Sequence, residues 1–497
     1  MRKEFVIALD MGTSGCHAVA VRADGSTAAQ CYLPLTPQRT EAGISQYHAA
    51  QLDQTARLAL HAVLDKVGPQ RVASLAIVSQ RSTVVLWDKS TGEPVGPVLT
   101  WEDGRAQEQA QQAPLSQEEV HLRTGLYKTP FFSAPKIAWM LQHAPQAHQA
   151  LRREQLCAAP VASYVVWKLT GGHVFATDYA LAQRTLLLNI QTLGWDESLC
   201  RAFEIDPNIL PTLQPTAADY GTYVYQGIPI PITVCGADQQ AAAVYFGLQP
   251  QKSLINYGTG AFWLYHTGEK PIFLPGLLTS LGASDNAGKS NYLLEGPVNA
   301  AASTLLWLKA QGIAFDEVET DDLCRAAENP LWLLPALGGL GAPYWDFTVS
   351  PAVEGLSSRT RKPDWVAGAV RGIAFLLADI GSYLQENGLP VTGPVQISGG
   401  LSRVEYLISF QAGLLQIPLE VSSCEDATVL GAALLAFKQI DKNLQFTPDK
   451  KTVEPTFSAI RARELYAAWQ AFVRRARQVP VHESEKVCGC RHTSSAV

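Results

Sequence analysis

Two carboxylates in this chain follow short apolar runs and are flanked by small residues. Asp10 closes the run Phe5-Val6-Ile7-Ala8-Leu9 and precedes Gly12, Thr13, Ser14 and Gly15. Asp238 follows Cys235-Gly236-Ala237 and precedes Gln239 and Gln240. In a Gly-rich turn the backbone N–H groups approach phosphate oxygens closely, and a neighbouring carboxylate can hold Mg²⁺, usually through water. The same residue types also build ordinary hairpin turns. The spacing around Asp10 fits neither a P-loop nor the GxGxxG fingerprint. Asp238 reads equally as a helix N-cap or as a ligand group at a strand end. A second turn of the first kind, Asn256-Tyr257-Gly258-Thr259-Gly260, opens the other half of the chain.

Further residues suit a hydroxylated ligand. Arg81 ends an apolar strand in "SQRST", and Trp101, Asp103 and Arg105 stand together in "TWEDGRA". A tryptophan beside an acid and an arginine offers an apolar wall with hydrogen-bonding groups; surface ion pairing is the plainer reading of the charges. Gly399-Gly400 end a strand and precede a helix, either as a tight loop or as bare backbone on which a nucleoside packs. "GLGAPYWD", residues 339–346, has no catalytic meaning by itself.

These residues need strands to end beside one another. The apolar runs at Phe5–Leu9, Leu75–Val78, Val84–Trp87, Pro229–Val234 and Val395–Ser398 read as strands. Helical patterns cover 52–66, 134–143, 364–386, 405–415, about 426–438 and 457–478. Asp364 is the expected N-cap of its helix, with Asn387-Gly388 as the stop. The last helix places Ile460, Leu465, Trp469, Phe472 and Val473 on one core-facing side. Strands alternating with helices predict an α/β fold. Phe5–Gly25 and Ser253–Gly268 share one plan: apolar strand, Gly-Thr tip, apolar strand, Gly turn. That repeat predicts duplicated domains, 1–246 and 247–479, with a flexible tail at 480–497 and a cleft between the halves onto which both tips face.

With 497 residues the chain exceeds a single ordinary core. At 47% hydrophobic and 17% charged it is globular rather than disordered. A formal net charge of −6 gives no basic field for nucleic acid or anionic membrane. No signal peptide and no apolar stretch of membrane-spanning length are expected; Val429–Phe437 is among the longest. Nine scattered cysteines predict reduced thiols and a cytoplasmic protein. Cys488, Cys490 and His492 lack a second ligand pair for a metal.

Nine motifs then occur in the order found in the FGGY carbohydrate kinases: "ALDMGTSG", "SQRSTVVLWDKSTGEPV", "TGLYKTPFFSAPKIAWML", "TDYALAQRTLLLNI", "CGADQQAA", "NYGTG", "GLGAPYWD", "ISGG" and "EDATVLGAA". They span roughly residues 4–440, and the set resembles the glycerol kinases most. The resemblance implies two actin-like, ribonuclease-H-like domains with an active-site cleft between them, and transfer of the γ-phosphoryl group of ATP to a hydroxyl with Mg²⁺. It implies that Asp10 orients Mg²⁺ through water and that Asp238 is the general base. Gly12, Thr13 and Ser14 would meet phosphates from one side, Gly258 and Thr259 from the other, with Gly399 and Gly400 against the adenosine. Arg81, Trp101, Asp238 and Gln239 would hold the substrate. The neighbouring Ser82, Asp103 and Phe131 complete the expected pocket. Six departures stand out. Ser82 replaces a glutamate and Phe131 a tyrosine, both glycerol-binding in the family. His17 replaces an arginine of the first phosphate loop. Ala302, Leu306 and Val404 alter the adenine side. The resemblance, with these departures, implies a small polyol or sugar as acceptor, either glycerol or a larger polyol or ketopentose. Two other classes remain open: a non-catalytic nucleotide-dependent regulator on the same fold, and a hydrolase using Asp103 and Asp238. The oligomeric state is not legible.

Overall fold

The computed structural model describes residues 3–40, 43–285, 288, 290–424 and 426–478. The tail 480–497, with Cys488, Cys490 and His492, lies outside the described residues.

Two mixed sheets organise the chain. The first has the order Thr222–Tyr225, Ile228–Ala237, Val72–Ser79, Phe5–Met11, Gly15–Arg22, Thr27–Pro34. Its three central strands are parallel, and Met11, Ser79 and Ala237 stand side by side in register. That register brings Asp10, the segment Gln80–Arg81 and Asp238 to one sheet edge, although 228 positions separate the two aspartates. Carboxyl ends of parallel strands are where α/β sheets gather ligands. The second sheet repeats the plan. The hairpin Ser253–Tyr257/Ala261–Gly268 is antiparallel, and Val395–Ser398 and Leu419–Ser422 add to it in parallel. Tyr292–Val298 and Leu278–Leu281 extend its other side.

The duplication extends to the helices. Asp238–Tyr245 follows the strand Ile228–Ala237, and Ala427–Lys438 follows the equivalent strand Leu419–Ser422. The two helices pack on each other where the domains meet. A Cβ at Gly431 would lie 1.8 Å from the carbonyl oxygen of Ala241, so only glycine permits this approach.

The expected helices form, with small changes at their ends. The helix expected from Asp364 starts earlier, at Lys362, with Arg361 as N-cap. Asp364 sits one turn in, and its carboxylate accepts the N–H groups of Arg361 and Asn329, both at 2.9 Å. A carboxylate in the first turn satisfies orphan donors as an N-cap does, so the same residue type serves either position. In Ala459–Ala476, Trp469, Phe472 and Val473 are buried, but Ile460 is 66% exposed because the first turn precedes contact with the core. By length and composition the helix Lys362–Glu386 qualifies as a membrane span, contrary to the expectation of none. Its apolar window is 83% buried inside the second domain, where Val366, Val370, Ile373 and Leu377 join the core. The seven described cysteines are all free thiols.

Candidate active site

The first Gly-Thr tip is tied down by side chains from three other segments. Tyr47 donates its hydroxyl to the Thr13 carbonyl at 2.6 Å. Gln80 Nε2 donates to the Gly12 carbonyl at 3.2 Å, and Gln80 Oε1 accepts the Thr13 hydroxyl at 3.3 Å. Trp101 Nε1 donates to Thr13 Oγ1 at 3.1 Å. The wall expected to face substrate and the turn expected to face phosphate are thus one hydrogen-bonded unit. The second tip is held mainly by backbone, with one side-chain bond, Ser303 Oγ to Thr259 O at 3.1 Å. The Ala302 N–H donates to Gly258 O, and those of Ala301 and Ser303 donate to Thr259 O, which docks the helix Ala302–Ala310 on the tip. The side chain of Thr259 has no partner among the described residues and stays exposed.

Asp10 is one strand position before that first tip. Its Oδ1 is buried with no hydrogen-bond partner. Burial, and next the charge of Asp238, push its pKa well above the usual carboxylate range. Two carboxylates near one another with an unpartnered oxygen form a donor set that suits a hydrated divalent cation. Asp238 keeps 24% of its side chain exposed and begins its helix rather than capping it. Its Oδ1 accepts the Gln239 N–H at 2.7 Å and lies 3.8 Å from Arg81 Nε. Burial raises its pKa; Arg81 and the Gln239 N–H pull the other way. Gln239 Oε1 accepts from Asn256 Nδ2 at 3.1 Å, across to the second hairpin.

The pocket wall is aromatic: Trp101 and Phe131 ring centres are 5.3 Å apart. Ser82 adopts φ 63°, a left-handed conformation uncommon for serine, and its Oγ is buried without a partner. Its carbonyl accepts from Ser133 Oγ at 3.2 Å and Lys136 Nζ at 3.3 Å. Lys136 also donates to Phe131 O at 2.6 Å, and burial pushes its pKa down to about 7. Asp103 is fully engaged. Its oxygens take the N–H of Ser45 at 2.7 Å and the guanidinium of Arg105 at 2.8–3.1 Å. It stands behind Trp101, bracing the loop.

On the second domain, Gly399 has φ 92°, and a Cβ there would sit 2.3 Å from Tyr257 O. Nothing lies within 4 Å of a Cβ built on Gly400, so the space beside it is open. Val404 is nearly buried and Leu306 is 57% exposed. His17 Nδ1 stands 3.5 Å from Asp426 Oδ1, at the start of Ala427–Lys438, a second link between the domains.

Sequence reasoning missed three residues here. Phe262 lies under the Arg81 guanidinium, 5.7 Å from ring centre to charge; its place three residues after Thr259 on the second strand of the hairpin was available as a signal. Arg184 and Glu295 form a buried ion pair at 2.5 Å, and Arg81 reaches the same carboxylate. Arg184 lies inside the motif "TDYALAQRTLLLNI", but nothing local announces its pairing with Glu295, 111 positions away.

Two α/β domains of one plan, with strand-end carboxylates and paired Gly-Thr tips at their junction, define a phosphotransferase class. The chain belongs to the FGGY family of carbohydrate kinases: the family's N-terminal domain matches residues 5–245 and its C-terminal domain residues 253–440. It is similar to the glycerol kinase of Limosilactobacillus reuteri, at 31% identity over 96% of this chain and 98% of that one. The glycerol kinase of Carboxydothermus hydrogenoformans is 32% identical, covering 97% of this chain and all of that one. Among solved structures, Plasmodium falciparum glycerol kinase with ADP superposes with a TM-score of 0.86 at 26% identity, over 95% of this chain and 98% of that one. A xylulose kinase from Brucella ovis shares the fold, with a TM-score of 0.83 at 21% identity over 95% and 99%. The protein is therefore an enzyme, a kinase that phosphorylates an alcohol group of a polyol or sugar with ATP. Membership of this kinase family sets aside the hydrolase and the non-catalytic regulator.

Proposed function

We propose that the acceptor is a four- or five-carbon polyol or ketose, handled by Asp238 as general base. The observation that carries this is the meeting of Asp238, Arg81 and Asp10 at one sheet edge beside a pocket without the family's glutamate and tyrosine. In this reading Asp238 takes the proton of the attacking hydroxyl, and Arg81, Trp101 and Gln239 orient the acceptor. Asp103 holds the Trp101 loop through Arg105. Gly12, Thr13, Ser14, Gly258 and Thr259 line the triphosphate, and Gly399 and Gly400 carry the adenosine. Asp10 would hold Mg²⁺ through water; bound there, the ion would neutralise charge on the transferring phosphoryl group. The domain division at 246/247 and a reducing, cytoplasmic setting belong to the same proposal, the latter supported by the free thiols.

Glycerol is the second reading, favoured by the 31–32% identical relatives. Against it, Ser82 lacks a carboxylate and Phe131 lacks a hydroxyl. One charged and one neutral hydrogen bond are worth roughly 2–4 kcal/mol of glycerol binding. The test is kcat/KM across glycerol, erythritol, xylitol, ribulose and xylulose, with the variant Ser82→Glu/Phe131→Tyr alongside. A larger acceptor should lead, and the double variant should gain glycerol efficiency substantially. A glycerol lead of more than about tenfold would overturn the larger acceptor. Asp238→Asn should lower kcat by roughly 10²–10⁴ while ATP still binds; more than a tenth of the original kcat would remove Asp238 from the base role.

A further inference from the structure

Glu295 sits in the middle of the strand Tyr292–Val298, only 1% exposed, and none of the roles above uses it. A carboxylate inside a sheet needs partners to offset its desolvation. One comes from its own sheet, Ser280 Oγ at 3.1 Å. The others cross from the first domain. Arg81 Nη1 and Nη2 donate to its two oxygens at 2.8 and 3.0 Å, and Arg184 Nη2 donates at 2.5 Å. Burial by itself would raise the Glu295 pKa, but Arg184 and Arg81 hold it down at about 2, so it stays ionised.

The seam around it is fixed by bonds to the backbone of the neighbouring strand Leu278–Leu281, two of them from the Gln183 side-chain amide. Gln183, next to Arg184, donates to Thr279 O at 2.6 Å and accepts the Leu281 N–H at 2.8 Å. Thr279 N–H donates to Gly125 O at 2.8 Å, and a Cβ on Gly125 would lie 1.9 Å from Thr279 O. The strand beside Glu295, Leu278–Leu281, pairs with Tyr292–Val298 on one edge and is stitched to the first domain along the other.

The consequence falls on Arg81. Its two terminal nitrogens, the fork that suits a carboxylate bidentately, are both taken by Glu295. Only its Nε edge is left toward Asp238, at 3.8 Å. Without Glu295, the fork's nearest alternative is Asp238 itself, and a bidentate pair there would occupy the oxygens that must receive the hydroxyl proton. We infer that Glu295 is a positioning residue. It draws the Arg81 fork away from Asp238, so that arginine and base both face the acceptor, and it does so from the second domain. The Arg81 pose then exists only while the two domains are docked along this seam. The inference rests on Asp238 as the base and Arg81 as an acceptor-binding residue.

Steady-state kinetics of the full-length enzyme test it with Glu295→Gln, Glu295→Asp, Arg81→Ala and the pair Glu295→Gln/Arg81→Ala. Glu295→Gln should raise the acceptor KM by about tenfold or more and lower kcat by roughly 10- to 100-fold, with the ATP KM within about twofold. Glu295→Asp restores the charge and should recover part of the loss. In acceptor KM the double variant should be no worse than Arg81→Ala, because the Arg81 fork is already gone; loss of the Arg184–Glu295 pair falls on stability instead. Equal losses toward ATP and acceptor, or additive losses in the double variant, would overturn the inference. Should Glu295→Gln not fold, Glu295→Asp decides: a raised acceptor KM at unchanged ATP KM supports the role, and an unchanged acceptor KM refutes it. Asp238→Asn, measured in parallel, separates the two failures. If it keeps its activity, the base assignment falls first; if it loses activity while the Glu295 variants behave as the parent, only the role of Glu295 falls.

Discussion

The two Gly-Thr hairpins began from one plan and now do different work. Where the first places Asp10, the second places Asn256. The carboxylate is buried with an unpartnered oxygen; the amide spends its N–H on Gln239. The first tip is laced to Tyr47, Gln80 and Trp101. The second is held by backbone N–H groups at the start of the helix Ala302–Ala310 and by Ser303 Oγ, and the Thr259 side chain is exposed. One hairpin thus holds a buried carboxylate with an unpartnered oxygen and is hydrogen-bonded to Trp101. The other is neutral, satisfied, and free to present a hydroxyl. A further carboxylate at position 256 would add to the repulsion that Asp10 and Asp238 already exert on each other in a buried place.

The largest test of this asymmetry makes the first hairpin resemble the second. Asp10→Asn should cut kcat by roughly 10²–10³ through loss of cation placement. It should also stabilise the cation-free protein. Asp10 is an acid with a raised folded-state pKa, so its ionised form costs stability, and that cost grows as pH rises above the unfolded-state value near 3.8. The Tm of Asp10→Asn without Mg²⁺ should exceed that of the parent by about 2–4 °C or more at neutral pH. The gap should close as the pH is lowered toward 4. Equal Tm values at pH 7 would show that the Asp10 carboxylate is compensated after all.

A smaller effect distinguishes the two threonines. Thr13→Val removes a hydroxyl that both donates to Gln80 and accepts from Trp101, so it should disturb acceptor and ATP kinetics together. Thr259→Val should slow transfer by roughly 5- to 10-fold and leave the acceptor KM unchanged, as expected for one hydrogen bond formed only to phosphate. If both variants shift the acceptor KM equally, the tips are not functionally distinct. The smallest change is expected from Asn256→Ala. It frees Gln239 and should raise the acceptor KM by roughly 3- to 10-fold without touching ATP.

Much of this molecule was legible along the chain because the deciding forces are local. Apolar runs bounded by Gly-Thr turns define the hairpins, and their repetition announces the duplicated domains. The strand Val395–Ser398 and the helix 405–415 appear where their patterns end. Helix starts were less certain: an aspartate stabilises an exposed helix terminus from the N-cap or from a turn inside, and the pattern around Asp364 fits both. The family motifs also marked where Ser82 and Phe131 depart from a glycerol pocket. What the chain alone did not disclose is how charges pair across distance. Asp103 reads as a ligand group beside Trp101, yet its oxygens are committed to Arg105 and Ser45. Arg184 and Glu295 lie 111 positions apart and Arg81 and Glu295 lie 214 apart, with no spacing that announces them. Periodicity reports which face of an element is apolar. Whether a buried charge finds its counter-charge is decided only when two domains are brought into contact, because desolvation makes an ionic group seek whichever partner the tertiary fold supplies.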